Sequence, residues 1–97
     1  MEVIFQFIDL DSSEALKEHT KQKLSTLKID NLIRANVRFS KTQDKHDENK
    51  SCDITLEIPG NDLHVQRTAV YYEAAVNDCV DVLHLQWNKI KEKQSPR

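Results

Sequence analysis

Lysines are the chemically suggestive residues of this sequence. Lys17, Lys21 and Lys28 share a stripe of a helical stretch near the start, and Lys89, Lys91 and Lys93 recur at every second position near the end. Ammonium groups carried on helices grip phosphate oxygens through charge, without reading bases. A solvated surface explains the same residues, and on pattern alone that plainer assignment comes first. Catalytic chemistry has less to stand on. The single glycine, Gly60, sits in a Pro-Gly-Asn-Asp turn and not in a phosphate-cradling loop. His19, His46, His64 and His84 are scattered over four stretches, with no His-x-x-x-His or paired-cysteine spacing for a metal. Cys52 and Cys79 fall on inward positions, which fits two buried inert thiols better than a redox pair. Asp9 and Asp11 flank a helix start, where capping accounts for Asp11. The residues therefore predict no enzyme, no cofactor and no metal site.

The charge is segregated. Residues 1–16 sum to −4, 17–41 to +5, 42–87 to −6 and 88–97 to +3, for a net charge of −2 and a sequence pI near 6.0. The total argues mildly against a nucleic-acid binder, whereas the segregation allows one basic face on an acidic protein.

The elements that must position these charges are legible from periodicity. Val3, Phe5 and Phe7 alternate with Ile4, Gln6 and Ile8, a strand whose two apolar phases predict a central place in a sheet. Asp11-Ser-Ser-Glu14 reads as a capping box opening a helix. Leu16, Thr20, Leu24 and Leu27 form its apolar stripe. Asp30-Asn31 marks a turn. Ile33, Ala35, Val37 and Phe39 alternate with polar residues, and so do Cys52, Ile54, Leu56 and Ile58. Leu63, Val65, Arg67 and Ala69 follow across the Pro59-Gly60 turn as the second arm of a hairpin. Residues 41–51 are entirely polar and predict a mobile loop. A last helix from about Tyr71 to Lys93 carries the core stripe Tyr72, Val76, Cys79, Val80, Leu83, Trp87 and Ile90.

The predicted order is β-α-β-β-β-α, an α+β domain spanning 1–97. Its four-stranded sheet is covered by both helices on one face. The last three strands form an antiparallel meander, and the first joins in parallel through its crossover helix. The core phases claim Phe5, Phe7, Phe39, Tyr72 and Trp87. The outward sheet seats hold Asn36, Arg38, Thr55 and His64, so there is no aromatic platform for stacking RNA bases. No apolar run approaches the roughly 20 residues that cross a bilayer. No signal-peptide pattern opens the chain, and two cysteines make no disulfide framework. A cytoplasmic protein is expected, with no membrane partner.

A resemblance sharpens this reading. The chain resembles the short form of the ribosome hibernation-promoting factors, also called ribosome-associated inhibitors or sigma-54 modulation proteins. The likeness runs through Asp11-Ser-Ser-Glu14-Ala15-Leu16-Lys17-Glu18-His19, then Lys23-Leu24 and Leu27. It continues in Asp53-Ile54-Thr55-Leu56-Glu57-Ile58-Pro59-Gly60-Asn61-Asp62-Leu63 and in Gln86-Trp87-Asn88-Lys89-Ile90-Lys91-Glu92-Lys93. It implies a fold similar to double-stranded-RNA-binding domains. It also implies binding to rRNA phosphates of the small ribosomal subunit in the mRNA and tRNA channel, which blocks translation in slow growth. Lys17 and Lys23 match basic positions of the family's first helix, and Lys89, Lys91 and Lys93 match the basic end of its second. With Lys21, these are the candidate rRNA-binding residues.

Departures define an alternative. The middle of the last helix, usually basic in the family, reads Val82-Leu83-His84-Leu85. Val82 and Leu85 fall outside the core stripe and make a candidate partner surface. The alternative is a diverged member that acts as a protein-interaction module or homodimer without ribosome binding.

Overall fold

Each strand turns one phase of its residues toward the helices, and that alternation builds the core. The structure, a computed structural model, describes residues 1–43 and 47–94. The elements are β1 (Glu2–Phe7), α1 (Glu14–Leu24), β2 (Arg34–Lys41), β3 (Lys50–Glu57), β4 (Leu63–Ala69) and α2 (Tyr72–Gln94). They form one four-stranded sheet in the order β1-β2-β3-β4. β1 runs parallel to β2, with Phe5 opposite Val37, while β2–β3 and β3–β4 are antiparallel, with Val37 opposite Ile54 and Ile54 opposite Val65. The expected β-α-β-β-β-α order, meander and parallel first strand are all present.

The inward phases and both helices share one core. Val37, Phe39, Cys52, Ile54, Leu56 and Val65 pack with Leu16, Leu24, Val76, Cys79, Leu83 and Trp87. Phe39 is fully buried, stacks on Phe5 and meets the Tyr72 ring edge-on at 5.7 Å. The Tyr72 hydroxyl donates to the Ser40 carbonyl at 3.0 Å, anchoring the start of α2 to β2.

β1 is an edge strand, not a central one. Its two apolar phases have separate causes. Val3, Phe5 and Phe7 are half-buried against the core, whereas Ile4 lies on the open face and is 43% exposed. The helix start also differs from expectation. Ser13, not Asp11, is the N-cap: its backbone is extended and its hydroxyl accepts from the Leu16 N–H at 3.1 Å. Asp9 adopts a left-handed φ of 55°, so the chain turns just before the stretch where the capping box was expected. α1 stops at Leu24 because the Ser25 and Thr26 hydroxyls donate back to the Gln22 and Lys23 carbonyls. Leu27, beyond the helix, remains buried.

The polar stretch 41–51 is shorter as a loop than its composition suggests. Lys41 pairs with Lys50 and Ser40 with Ser51, and the Thr42 N–H donates to the Asn49 carbonyl at 2.9 Å. Ladder bonds need no apolar side chains, so the hairpin extends into polar sequence. Residues 44–46, the middle of the expected mobile loop, lie outside the described residues. The Pro59-Gly60 turn is as expected. Gly60 has φ +82° and the Asn61 N–H closes on the Ile58 carbonyl at 3.0 Å, a type II turn.

Candidate nucleic-acid interface

The relative placement of the two helices decides where the lysines stand. His19 Nε2 hydrogen-bonds Asn77 Oδ1 at 3.0 Å, and Thr26 Oγ1 hydrogen-bonds His84 Nε2 at 3.1 Å. Both contacts span 58 residues of sequence, so the two segments run parallel along a common seam. Thr26 Oγ1 already donates to the Lys23 carbonyl at 2.7 Å. It therefore accepts from His84, which fixes the Nε2–H tautomer there. The sequence pattern left the histidines scattered, but the fold brings His19 and His84 to one seam. His64 lies elsewhere, bonded to Asp53 at 2.8 Å on the open sheet face, and His46 is outside the described residues.

α1 has 11 residues and α2 has 23, so α2 outruns its neighbour. The common offset sets Lys23 level with Asp81, and at 1.5 Å per residue Lys89 lies about 12 Å further along. The candidate lysines therefore form two groups and not one patch. In the first group, Lys17 leans over β1, its Nζ 6.0 Å from the Phe5 ring centroid and 3.9 Å from Glu14. Lys21 and Lys23 are exposed in the last turn of α1. In the second group, Lys89, Lys91 and Lys93 are exposed at the end of α2.

The second group is itself divided. Gln86 donates to the His64 carbonyl of β4 at 3.3 Å. Lys89 and Lys93, three and seven residues on, share that β4-side stripe. Lys91 lies seven residues beyond His84 and continues the stripe facing α1. The helix layer also carries exposed acids, Glu73, Asp78 and Asp81, on the first half of α2. These leave the lysine ends as its most positive regions.

The candidate partner surface is narrower than the sequence suggests. Leu85 is 63% exposed. Val82 packs partly against the core, because its helical position turns it toward the sheet flank. The cysteines are free and buried. Cys79 Sγ donates to the Cys52 carbonyl at 3.4 Å, and the neighbouring Cys79 thiol, followed by burial, pushes the Cys52 thiol up from its ordinary value. No group of three or more metal-ligating side chains occurs among the described residues, and no described helix is long and apolar enough to cross a membrane.

Two parallel helices on one face of a mixed sheet define a small α+β domain. Comparison with known proteins gives its family. Residues 3–95 match the family described as sigma 54 modulation protein / S30EA ribosomal protein, and the chain belongs to that family. It is the ribosome-associated family that the sequence motifs resemble.

Solved structures agree on the fold. A ribosomal subunit interface protein from Coxiella burnetii superposes with a TM-score of 0.85 at 22% identity, covering 95% of this chain and 99% of that one. The N-terminal domain of Thermus thermophilus Protein Y gives a TM-score of 0.79 at 22% identity, covering 93% and 99%. No curated protein matches the chain.

Proposed function

We propose that this protein binds the small ribosomal subunit, occupies the mRNA and tRNA channel, and so inhibits translation in slow growth. Its action is steric and electrostatic, and it catalyses no reaction. The observation that carries the proposal is the family match over residues 3–95. The lysines of the two helices, exposed except for half-buried Lys17, suit contacts with rRNA phosphates. Lys17, Lys21 and Lys23 serve one end of the contact and Lys89, Lys91 and Lys93 the other. A ribosome-bound protein of this kind works in the cytoplasm. The deciding experiment is co-sedimentation with small subunits in sucrose gradients at low and high salt. Binding that weakens steeply with salt is expected, and failure to sediment even at low salt would refute the proposal.

Exposed Leu85 supports a second reading, a partner or self-association surface on α2. Leu85→Glu separates the two. Added negative charge weakens sedimentation with small subunits if this face meets rRNA. If the face meets protein, the same change abolishes self-association and leaves sedimentation intact.

A further inference from the structure

Where α2 outruns α1, a groove of about 450 Å³ opens beside its last turns. Three segments distant in sequence line it: Asn31 from the turn after α1, Pro59 and Asn61 from the β3–β4 turn, and Trp87, Ile90 and Lys91 from α2. Its walls are set by backbone. Asn31 holds a left-handed φ of 63°, and the type II turn at Pro59-Gly60 is closed by its own hydrogen bond. A site fixed in this way needs little ordering to bind.

A tryptophan forms part of the groove wall. Trp87 is the chain's one tryptophan and is 8% exposed. Its indole N–H is buried and finds no acceptor among the described residues. That nitrogen presents no surface to the groove, so what Trp87 offers a ligand is the small exposed part of its ring.

The lining states what that ligand looks like. Pro59, Trp87 and Ile90 provide apolar walls. The Asn31 and Asn61 amides donate and accept, as amides do at base edges. Lys91 brings a cation to the groove, with Lys89 and Lys93 exposed on the same last turns. Asp30, also on the lining, repels a phosphate and accepts from an exocyclic amine. A flat ring with a donor–acceptor edge, tied to an anionic group, is a nucleotide. The groove falls in the size range of roughly 300–1,000 Å³ usual for small-ligand sites, enough for one base and not for a duplex.

We propose that this groove takes one unstacked base of a single-stranded RNA segment, with Lys91 on its phosphate. The inference rests on the RNA-binding reading above and adds base recognition to a surface otherwise limited to phosphate contacts.

Trp87 is its own reporter. The full chain is titrated with RNA hexamers of each single base, with hexaglutamate and with inorganic phosphate, following tryptophan emission. A saturable change with hexamers is expected, unequal between bases and absent with the peptide and with phosphate. Asn61→Ala removes an exposed amide while the turn's backbone bond remains, and should weaken the preferred hexamer about fivefold or more. Lys91→Gln should weaken all hexamers alike and make the log–log salt slope shallower by about one.

Silence with every hexamer at low salt overturns the proposal, and so does a change that Asn61→Ala leaves intact. A response to hexaglutamate in place of RNA also overturns it, making the groove a peptide site. Sedimentation with small subunits, run on the same samples, keeps the two readings apart. Intact sedimentation with a silent Trp87 removes the groove alone. A base-dependent Trp87 response without sedimentation upholds the groove and removes the ribosome.

Discussion

Replacing Lys89 and Lys93 together by Gln tests the far end of the proposed interface without touching its near end. Both side chains are exposed on the β4-side stripe of α2, past the end of α1. The core and the His19–Asn77 and Thr26–His84 seam are therefore untouched. Loss of the Lys93 charge, in the last turn of α2, costs about 0.3–1 kcal/mol at low ionic strength, and loss of the Lys89 charge, a turn further in, costs less, so the double variant stays folded and its melting curve serves as the control. Each phosphate contact contributes roughly 0.7–0.9 to the log–log salt slope. Six lysines on phosphate give a slope of about −4 to −5, and removing two leaves about −3 to −3.6. The two lines converge as salt rises. Between about 50 and 200 mM salt the affinity gap between parent and variant should shrink about tenfold. The measurement is the fraction of protein in the small-subunit peak across that salt series. Parallel log–log lines for parent and variant would show that Lys89 and Lys93 hold no phosphate, leaving only Lys91 and the α1 lysines for the interface.

Three further outcomes follow from the packing. Ser13→Ala should lower stability by about 1 kcal/mol in urea unfolding, through loss of the cap to Leu16. Asp11→Ala should leave the midpoint in place, and the reverse ranking would restore Asp11 as the cap. Leu83→Ala, at a fully buried position, should cost about 2–5 kcal/mol; a loss under about 1 kcal/mol would mean that α2 is not seated as described. Cys52 and Cys79 should resist an aromatic disulfide reagent at about pH 8 in the folded protein and react together on unfolding. The upward push on Cys52 from Cys79 and from burial leaves less thiolate at any given pH, so its reactivity begins at higher pH than that of a free thiol. Rapid labelling of the native protein would contradict this.

Periodicity made most of the fold legible. Alternation in Ala35–Phe39, Cys52–Ile58 and Leu63–Val65 records which side of a strand meets the core, because successive side chains must point oppositely, whereas Ile33, expected on the same inward phase, lies before β2 and is exposed. The 3.6-residue stripes from Leu16 to Leu24 and from Tyr72 to Ile90 do the same for the helices. Pro59-Gly60 fixes its turn through local dihedral limits. These are short-range constraints, so sequence expresses them directly. The order of such motifs along the chain also carried the family resemblance.

Neighbours and distances are another matter. A two-faced apolar strand reads the same whether a second strand flanks it or, as with β1, a helix covers one face and leaves the other open. Ladder bonds between Lys41 and Lys50 involve backbone alone, so polar composition hid the ends of β2 and β3. The lysines of each helix follow from that helix's own stripe, but whether they form one patch depends on how the helices pack. Parallel packing and the unequal lengths of α1 and α2 part Lys23 from Lys89, and they open the groove at Trp87. No local pattern contains that information, because it arises only when segments distant in sequence share one core.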